Sequence, residues 1–244
     1  MSAETSPLFD LSRTQIRPLQ VGILVAPGFA PCDIIGFQTI FGFTPGVTIH
    51  LLWKDREEVI GIPTFPTRAT TTFDECPADL DVLYAGAVPP EIFEDAETLD
   101  FLADRGSRAG WIAGSCVGSL LLGAAGLLVG YRATTNFHVH HLLPYFGAIP
   151  ATGNVIEDRN RITAGPVTGS NEIGLRLIQH FYGDDLARQQ ELAMEYAPTP
   201  LFNVGTPELA GPELTARAFA ASAAMSESFE ALGRRAAERL NVTV

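Results

Sequence analysis

The sequence predicts an α/β fold with a mostly parallel sheet and helices on both of its faces. Strand-length apolar runs alternate with helical patterns from Val21 onward. The strand runs are almost uncharged and rich in β-branched and aromatic residues, as strands covered on both faces are. Finally, 46% of the 244 residues are apolar, enough for a substantial core.

The first residues, Met1 to Gln20, carry Glu4, Asp10, Arg13 and Arg17 and hold no continuous apolar stretch, so a loose arm over 1–18 is expected and not a secretory signal. Inner strands are expected at Val21 to Ala26, Val47 to Trp53, Val82 to Tyr84 and Trp111 to Ala113. Between Glu97 and Ala109, Leu99, Leu102 and Ala103 share one face while Asp100, Asp104, Arg105 and Arg108 take the other, the pattern of a covering helix. The 23 uncharged residues between Arg108 and Arg132 are long enough to cross a bilayer, but six glycines divide them into a strand, a tight turn and a helix. Asn154 to Ile156 and Arg161 to Thr163 read as a hairpin, and Ile173, Leu177, Ile178 and Phe181 form a helical stripe. Residues 195–207 contain prolines that forbid regular helix. A last helix is expected from Pro212 to about Leu240, packing on the domain or on a partner subunit through Phe219, Phe229 and Leu232. The chain thus divides into an arm (1–18), one α/β domain (19–210) and a C-terminal helix (211–244), with too little left over for a helix-turn-helix pair.

Sixteen basic against 28 acidic residues give a net charge of −12, which repels nucleic-acid phosphates and anionic membrane surfaces. A small-molecule ligand is expected instead. The three cysteines, Cys32, Cys76 and Cys116, form an odd set without CxxC spacing, which points to a reducing cytoplasm rather than to a disulfide framework.

Chemistry concentrates at Trp111 to Leu122, where an apolar strand ends in Gly114-Ser115-Cys116-Val117-Gly118 before a helix. Small residues two positions either side of a nucleophile permit the sharp turn that lifts its side chain above the carboxyl edge of the sheet. At a helix N-terminus the thiolate form of Cys116 is favoured and its pKa lowered. The bland alternative is a small cysteine packed between strand and helix. Backbone donors for a developing anion could come from Gly86 and Ala87 in the turn after the third inner strand, and from Val117. Asp33, in the first crossover, reads either as an N-cap, which spacing alone favours because capping is the commonest use of such an aspartate, or as a proton-transfer group beside Cys116. His138 and His140 lack a third ligand at motif spacing, so no metal is expected.

These motifs together resemble the ThiJ/PfpI superfamily, and within it the isonitrile hydratases. The matching words are Cys116-Val117-Gly118-Ser119-Leu120 with Leu122 to Leu128, then Arg132-Ala133-Thr134-Thr135, Gly147-Ala148-Ile149-Pro150, and Glu195-Tyr196-Ala197-Pro198 with Phe202-Asn203. The resemblance implies a flavodoxin-like three-layer sandwich, a homodimer, no cofactor, and a cysteine nucleophile partnered by an acid, positions that Cys116 and Asp33 match. It also implies hydration of an isonitrile to an N-substituted formamide through a thioimidate, within a pocket of Phe29, Phe37, Val88, Asn136, Phe137, Pro166 and Val167. The sequence departs from the family pattern beside the nucleophile. Val117 replaces the usual threonine, Ala85-Gly86-Ala87 replaces Pro-Gly-Gly, and Asn136-Phe137 replaces His-Trp. These changes leave open a dehydration or cyclisation on a larger substrate, a redox or ligand sensor without turnover, and, last, a glyoxalase-like activity.

Overall fold

The apolar, β-branched segments pair into one twisted sheet, and the amphipathic segments between them cover it. The computed structural model describes residues 8–243; residues 1–7 of the expected arm and Val244 lie outside the described residues. In chain order the elements are β1 (Leu19–Leu24), α1 (Pro31–Phe43), β2 (Val47–Trp53), the hairpin β3 (Glu58–Gly61) and β4 (Phe65–Arg68), β5 (Thr71–Thr72), β6 (Val82–Ala85), α2 (Ala96–Arg108), β7 (Trp111–Ser115) and α3 (Gly118–Ala124). They continue with β8 (Arg132–Ala133), β9 (Ile149–Pro150), β10 (Val155–Asp158), β11 (Arg161–Ala164), α4 (Gly169–Tyr182), α5 (Asp184–Ala193), α6 (Pro207–Ala221) and α7 (Ala223–Leu240). Two 3-10 segments, Pro90–Glu94 and Phe137–Phe146, fill long connections.

The main sheet runs β10-β11-β7-β6-β1-β2-β5 and is parallel except for β10, which returns antiparallel to β11 as the expected hairpin. All four expected inner strands are present, the first beginning two residues earlier than the apolar run suggested. After β1 the chain moves outward to β2 and β5, then crosses to the other side of β1 to form β6 and β7. That reversal opens a crevice beyond the carboxyl ends of β1 and β6, where ligands of open α/β sheets bind. β1 is closed on both faces: Val21 and Ile23 are buried on one, and Gly22 and Leu24 on the other.

The covering helix α2 follows its periodicity, with Asp95 capping through Thr98 N–H at 2.8 Å and Arg105 and Arg108 in the last turn, where cations suit the helix dipole. In α4, Ile173, Leu177 and Ile178 are buried as expected, while Phe181 is half-buried beneath the Arg17 guanidinium, 4.9 Å from its ring. The uncharged run between Arg108 and Arg132 is β7, a bend and α3, and no helix among the described residues is long and apolar enough to cross a membrane. Ahead of β1, Phe9 is buried, and Gln189 exchanges two hydrogen bonds with the backbone of Asp10, so residues from Phe9 on lie against the domain.

The single last helix expected from Pro212 is instead two. α6 starts earlier, at Pro207, behind Thr206, whose hydroxyl accepts from Leu209 N–H. It kinks at Gly211 (φ 76°), and it ends at Ser222, whose hydroxyl turns back to Ala218 O at 3.0 Å. α7 then buries Phe229, Leu232 and Ala236, with Phe229 edge-on to Phe93 at 5.2 Å, whereas α6 buries no residue at all.

Candidate active site

Cys116 occupies the bend between β7 and α3 with φ 52°, a left-handed backbone that a non-glycine residue adopts only when its surroundings impose it. Here they do. Its N–H is donated to Ala164 O at 2.9 Å, and its carbonyl accepts the Thr135 hydroxyl at 2.6 Å. The bend also requires glycine at 118, because a Cβ there would lie 2.3 Å from Ala85 O and 2.4 Å from Gly86 O. The chain after β6 is therefore pressed against the start of α3, and this contact sets the spacing between two of the loops that build the site.

Asp33 arrives from the third loop. Pro31 begins α1, Ala30 is its N-cap, and no side chain caps it. The capping role open to Asp33 in the sequence is thus not the one it has. It sits inside the first turn, fully buried, with its two carboxylate oxygens in separate hydrogen bonds. Oδ1 accepts the Ser115 hydroxyl in a short contact, and Oδ2 accepts Ala87 N–H at 3.2 Å. Tyr84 closes the network from below: its hydroxyl donates to Asp33 O at 2.7 Å and lies 2.5 Å from Ser115 Oγ. Gly86 gives this approach room, since a Cβ there would fall 2.6 Å from Asp33 Cβ.

The electrostatics differ from the sequence expectation at Cys116. A lowered pKa was expected from the helix N-terminus. Instead burial, and then the negative charge of Asp33, push the thiol up to about 12, against weaker opposing hydrogen bonds from Val117 N–H and the Asn136 side chain. α3 is one short helix of seven residues, and the removal of water around a residue only 8% exposed outweighs it. Asp33 moves the same way: burial raises its carboxyl to about 6, with Ser115 and Ala87 N–H holding it down. At neutral pH the pair therefore rests as thiol and carboxylate with one proton between them.

The other expected residues divide into two groups. Val117 N–H reaches the Cys116 sulfur, and Asn136 accepts His138 N–H on its oxygen at 3.2 Å, which leaves its amide nitrogen for the thiol. Ala87 N–H, expected to be an anion donor, is committed to Asp33, which is a correction to that role. Phe37 is fully buried and stacked on Tyr84 at 4.0 Å, so it braces the network instead of facing an opening. Phe29 is closed in against Phe65 and Gly61. Val88 is buried, Pro166 half-buried and Val167 exposed in the turn after β11. His138 Nδ1 pairs with Ser222 Oγ at 2.7 Å and His140 Nε2 with Ala151 O at 3.1 Å, and among the described residues no cluster of His, Cys, Asp or Glu could hold a metal.

Sequence reading assigned no role to Ser115, Tyr84 or Thr135. A signal was present for the first: a hydroxyl at the end of an otherwise apolar inner strand must find a partner when buried. For Tyr84 and Thr135 the partners come from segments 51 and 19 residues away, which no local pattern encodes.

Comparison with known proteins finds relatives over nearly the whole chain. Residues 19–180 match the model of the DJ-1/PfpI family. The chain is 38% identical over 226 residues to an isonitrile hydratase from Pseudomonas putida, an alignment that covers 92% of this chain and 99% of that protein. A THiJ/PfpI family protein from Pseudomonas syringae superposes with a TM-score of 0.88 at 36% identity, covering 91% of this chain and 94% of that one. A DJ-1 superfamily protein from Salmonella typhimurium, at 23% identity and a TM-score of 0.66 over 74% of this chain and 100% of its own, shares the fold. The bend, the sheet order and these matches converge: the chain belongs to the DJ-1/PfpI family.

Proposed function

We propose that the protein is a cofactor-independent, cysteine-dependent hydro-lyase that adds water to an isonitrile to give an N-substituted formamide. The observation that carries the reading is the strained Cys116 bend facing a buried carboxylate, in a chain that aligns over nearly its whole length with an isonitrile hydratase.

The thiol adds across the terminal carbon of R–N≡C. The sulfur forms the new C–S bond while the thiol proton passes to Asp33 and from it to the same carbon, leaving the thioimidate R–N=CH–S–Cys116. Asp33, again a carboxylate, takes a proton from water as its oxygen joins that carbon. The nitrogen receives the proton, giving R–NH–CH(OH)–S–Cys116. Collapse breaks the C–S bond, releases R–NH–CHO and returns the hydroxyl proton through Asp33 to the sulfur. Val117 N–H, directed at the sulfur, and Gly86 N–H are the donors assigned to the oxygen in this last stage. The raised carboxyl of Asp33, near 6, suits a group that must both take and give a proton at neutral pH.

The protein works as a homodimer in a reducing cytoplasm, without nucleic acid. Support for the dimer comes from α6 and the irregular segment before it. α6 buries nothing, and Leu201, Phe202 and Leu209 are 86%, 77% and 53% exposed, an apolar face that a second copy would cover. Support for the compartment comes from three free cysteines. The sensor alternative requires an accessible thiolate at rest, whereas Cys116 is a buried thiol.

The test is turnover of cyclohexyl isonitrile with formamide detected by mass spectrometry. Cys116→Ser and Asp33→Asn should each remove activity by about a hundredfold or more while the thermal melt stays cooperative. Wild-type rates in either variant, or a wild type inert toward isonitriles, would defeat the reading.

A further inference from the structure

Behind the Asp33 carboxyl group, four oxygen atoms meet in the core. Asp33 Oδ1 touches Ser115 Oγ, Ser115 Oγ lies 2.5 Å from Tyr84 Oη, and Tyr84 Oη lies 2.7 Å from Asp33 O, with all three residues fully buried. Among the described residues, no other hydrogen-bond partner reaches either hydroxyl. Each of these three contacts needs a proton between its oxygens, because two lone pairs facing one another at such a separation repel. With Asp33 ionised, only the Ser115 and Tyr84 hydroxyl protons are there to share. Ser115 then donates to Oδ1 and Tyr84 to Asp33 O, which leaves the contact between the two hydroxyls empty. A proton on Oδ1 completes the set. Asp33 Oδ1–H donates to Ser115, Ser115 O–H turns to Tyr84, and Tyr84 O–H stays on Asp33 O, so each hydroxyl donates once and accepts once. Oδ2, the carbonyl oxygen of that acid, keeps Ala87 N–H at 3.2 Å.

We propose that Tyr84 is a positioning residue of the reaction: with Ser115 it closes a ring of hydrogen bonds that is complete only while Asp33 carries a proton, and so steadies the loaded acid between thiol and substrate carbon. This deepens the hydratase reading and rests on it. In the cycle the proton leaves the Cys116 sulfur, rests on Asp33 and passes to the isonitrile carbon. The first transfer runs uphill, from a thiol pushed up to about 12 to a carboxyl raised to about 6, and the hydrogen bond gained in the loaded state lessens the climb. Unloading moves no residue. Only the Ser115 O–H rotates, back to Oδ1, while the Tyr84 ring stays stacked on Phe37 at 4.0 Å. The titratable groups facing Asp33 are Tyr84 from β6, Cys116 from the bend and Cys32 beside it on α1. α4, packed on α1 at Gly36, presents the uncharged Ser170 and Asn171 there. Of the titratable groups, only Tyr84 hydrogen-bonds Ser115.

The experiment is Tyr84→Phe, which removes the hydroxyl and keeps the ring. The ionised form loses nothing at Ser115 by this change, whereas the protonated form loses the bond between the two hydroxyls, so the balance shifts toward the carboxylate. The acid limb of kcat/KM for cyclohexyl isonitrile, expected at about pH 6 in the wild type, should therefore move down by about half a pH unit or more. That is opposite to the upward move expected of Ser115→Ala, whose hydroxyl holds the Asp33 carboxyl down. A limb that stays or moves up in Tyr84→Phe overturns the proposal. The same midpoint is read without turnover from the acid C=O stretch of Asp33 in pH-difference infrared spectra, assigned by its loss in Asp33→Asn. If the wild type is inert toward isonitriles, the hydratase reading fails by itself and this midpoint decides. A midpoint lowered in Tyr84→Phe supports the ring, and one unmoved or raised overturns it. A thermal melt checks the fold of the variant. Should Tyr84→Phe not melt cooperatively, Ser115→Ala decides instead: the loaded acid donates to Ser115, so its C=O band should shift in frequency when that acceptor is lost, and an unshifted band overturns the proposal.

Discussion

Ser115 donates its hydroxyl to Asp33 Oδ1 from the position immediately before Cys116, although 82 residues separate the two partners in the chain. The strand residue next to the reactive thiol therefore orients the carboxyl group that shares its proton. Tyr84, bonded to Ser115 Oγ and to Asp33 O and stacked on Phe37, makes this arrangement rigid from the core side.

The first prediction concerns the pH profile. Activity requires the pair to carry one proton, so kcat/KM should rise as pH passes about 6 and then level off, because the second ionisation lies near 12. The Ser115 hydrogen bond lowers the Asp33 pKa, so Ser115→Ala should move that acid limb to higher pH. Ser115→Thr keeps the hydroxyl and should restore the limb toward its wild-type position. An unmoved limb in Ser115→Ala would show that the hydroxyl does not govern Asp33.

The second concerns stability. Burial raises the Asp33 carboxyl from 3.8 in the unfolded chain to about 6 in the fold, so the folded state prefers the protonated form. Its contribution is fully present below pH 3.8 and is lost as pH rises toward 6, after which the penalty is constant. Asp33→Asn removes the charge and should raise the melting temperature relative to wild type above pH 6, by the equivalent of about 3 kcal/mol at most. The advantage should shrink toward pH 4. Melting curves at both ends of that range decide it; equal shifts at pH 4 and pH 8 would contradict the assignment.

A third prediction follows from the resting thiol. Cys32 is exposed, whereas Cys116 is 8% exposed with its pKa near 12, so iodoacetamide at neutral pH should label Cys32 before Cys116. Peptide mass mapping over a time course reads the order. Selective first labelling of Cys116 would show a reactive thiolate at rest and revive the sensor alternative.

The fold was legible wherever one segment's own pattern decides its fate. The uncharged β-branched runs at Val47 and Val82 could only be inner strands, and the glycines between Arg108 and Arg132 could only break that run. The last helix was less legible, because its division at Ser222 depends on a hydroxyl that bonds both Ala218 O and His138, a partner 84 residues away. In the site, the glycine spacing around Cys116 was readable as local backbone geometry. The state of its thiol was not, since local sequence argues from the helix end while the decisive quantity is how much water the assembled loops exclude. Asp33 shows the same limit: local sequence favours capping for an aspartate near a helix start, and only the loop after β6, which presents Ala87 N–H to it, shows a different set of partners.

That last contact has an evolutionary consequence. The donor is main chain, so any residue except proline at position 87 can supply it, and that position, unlike the glycine before it, is free to drift in sequence and reshape the entrance without disturbing the acid. Ser115 enjoys no such freedom, because its contribution is a side chain. Divergence toward new substrates should therefore accumulate in the rim of loops while the strand end behind the sulfur stays constrained.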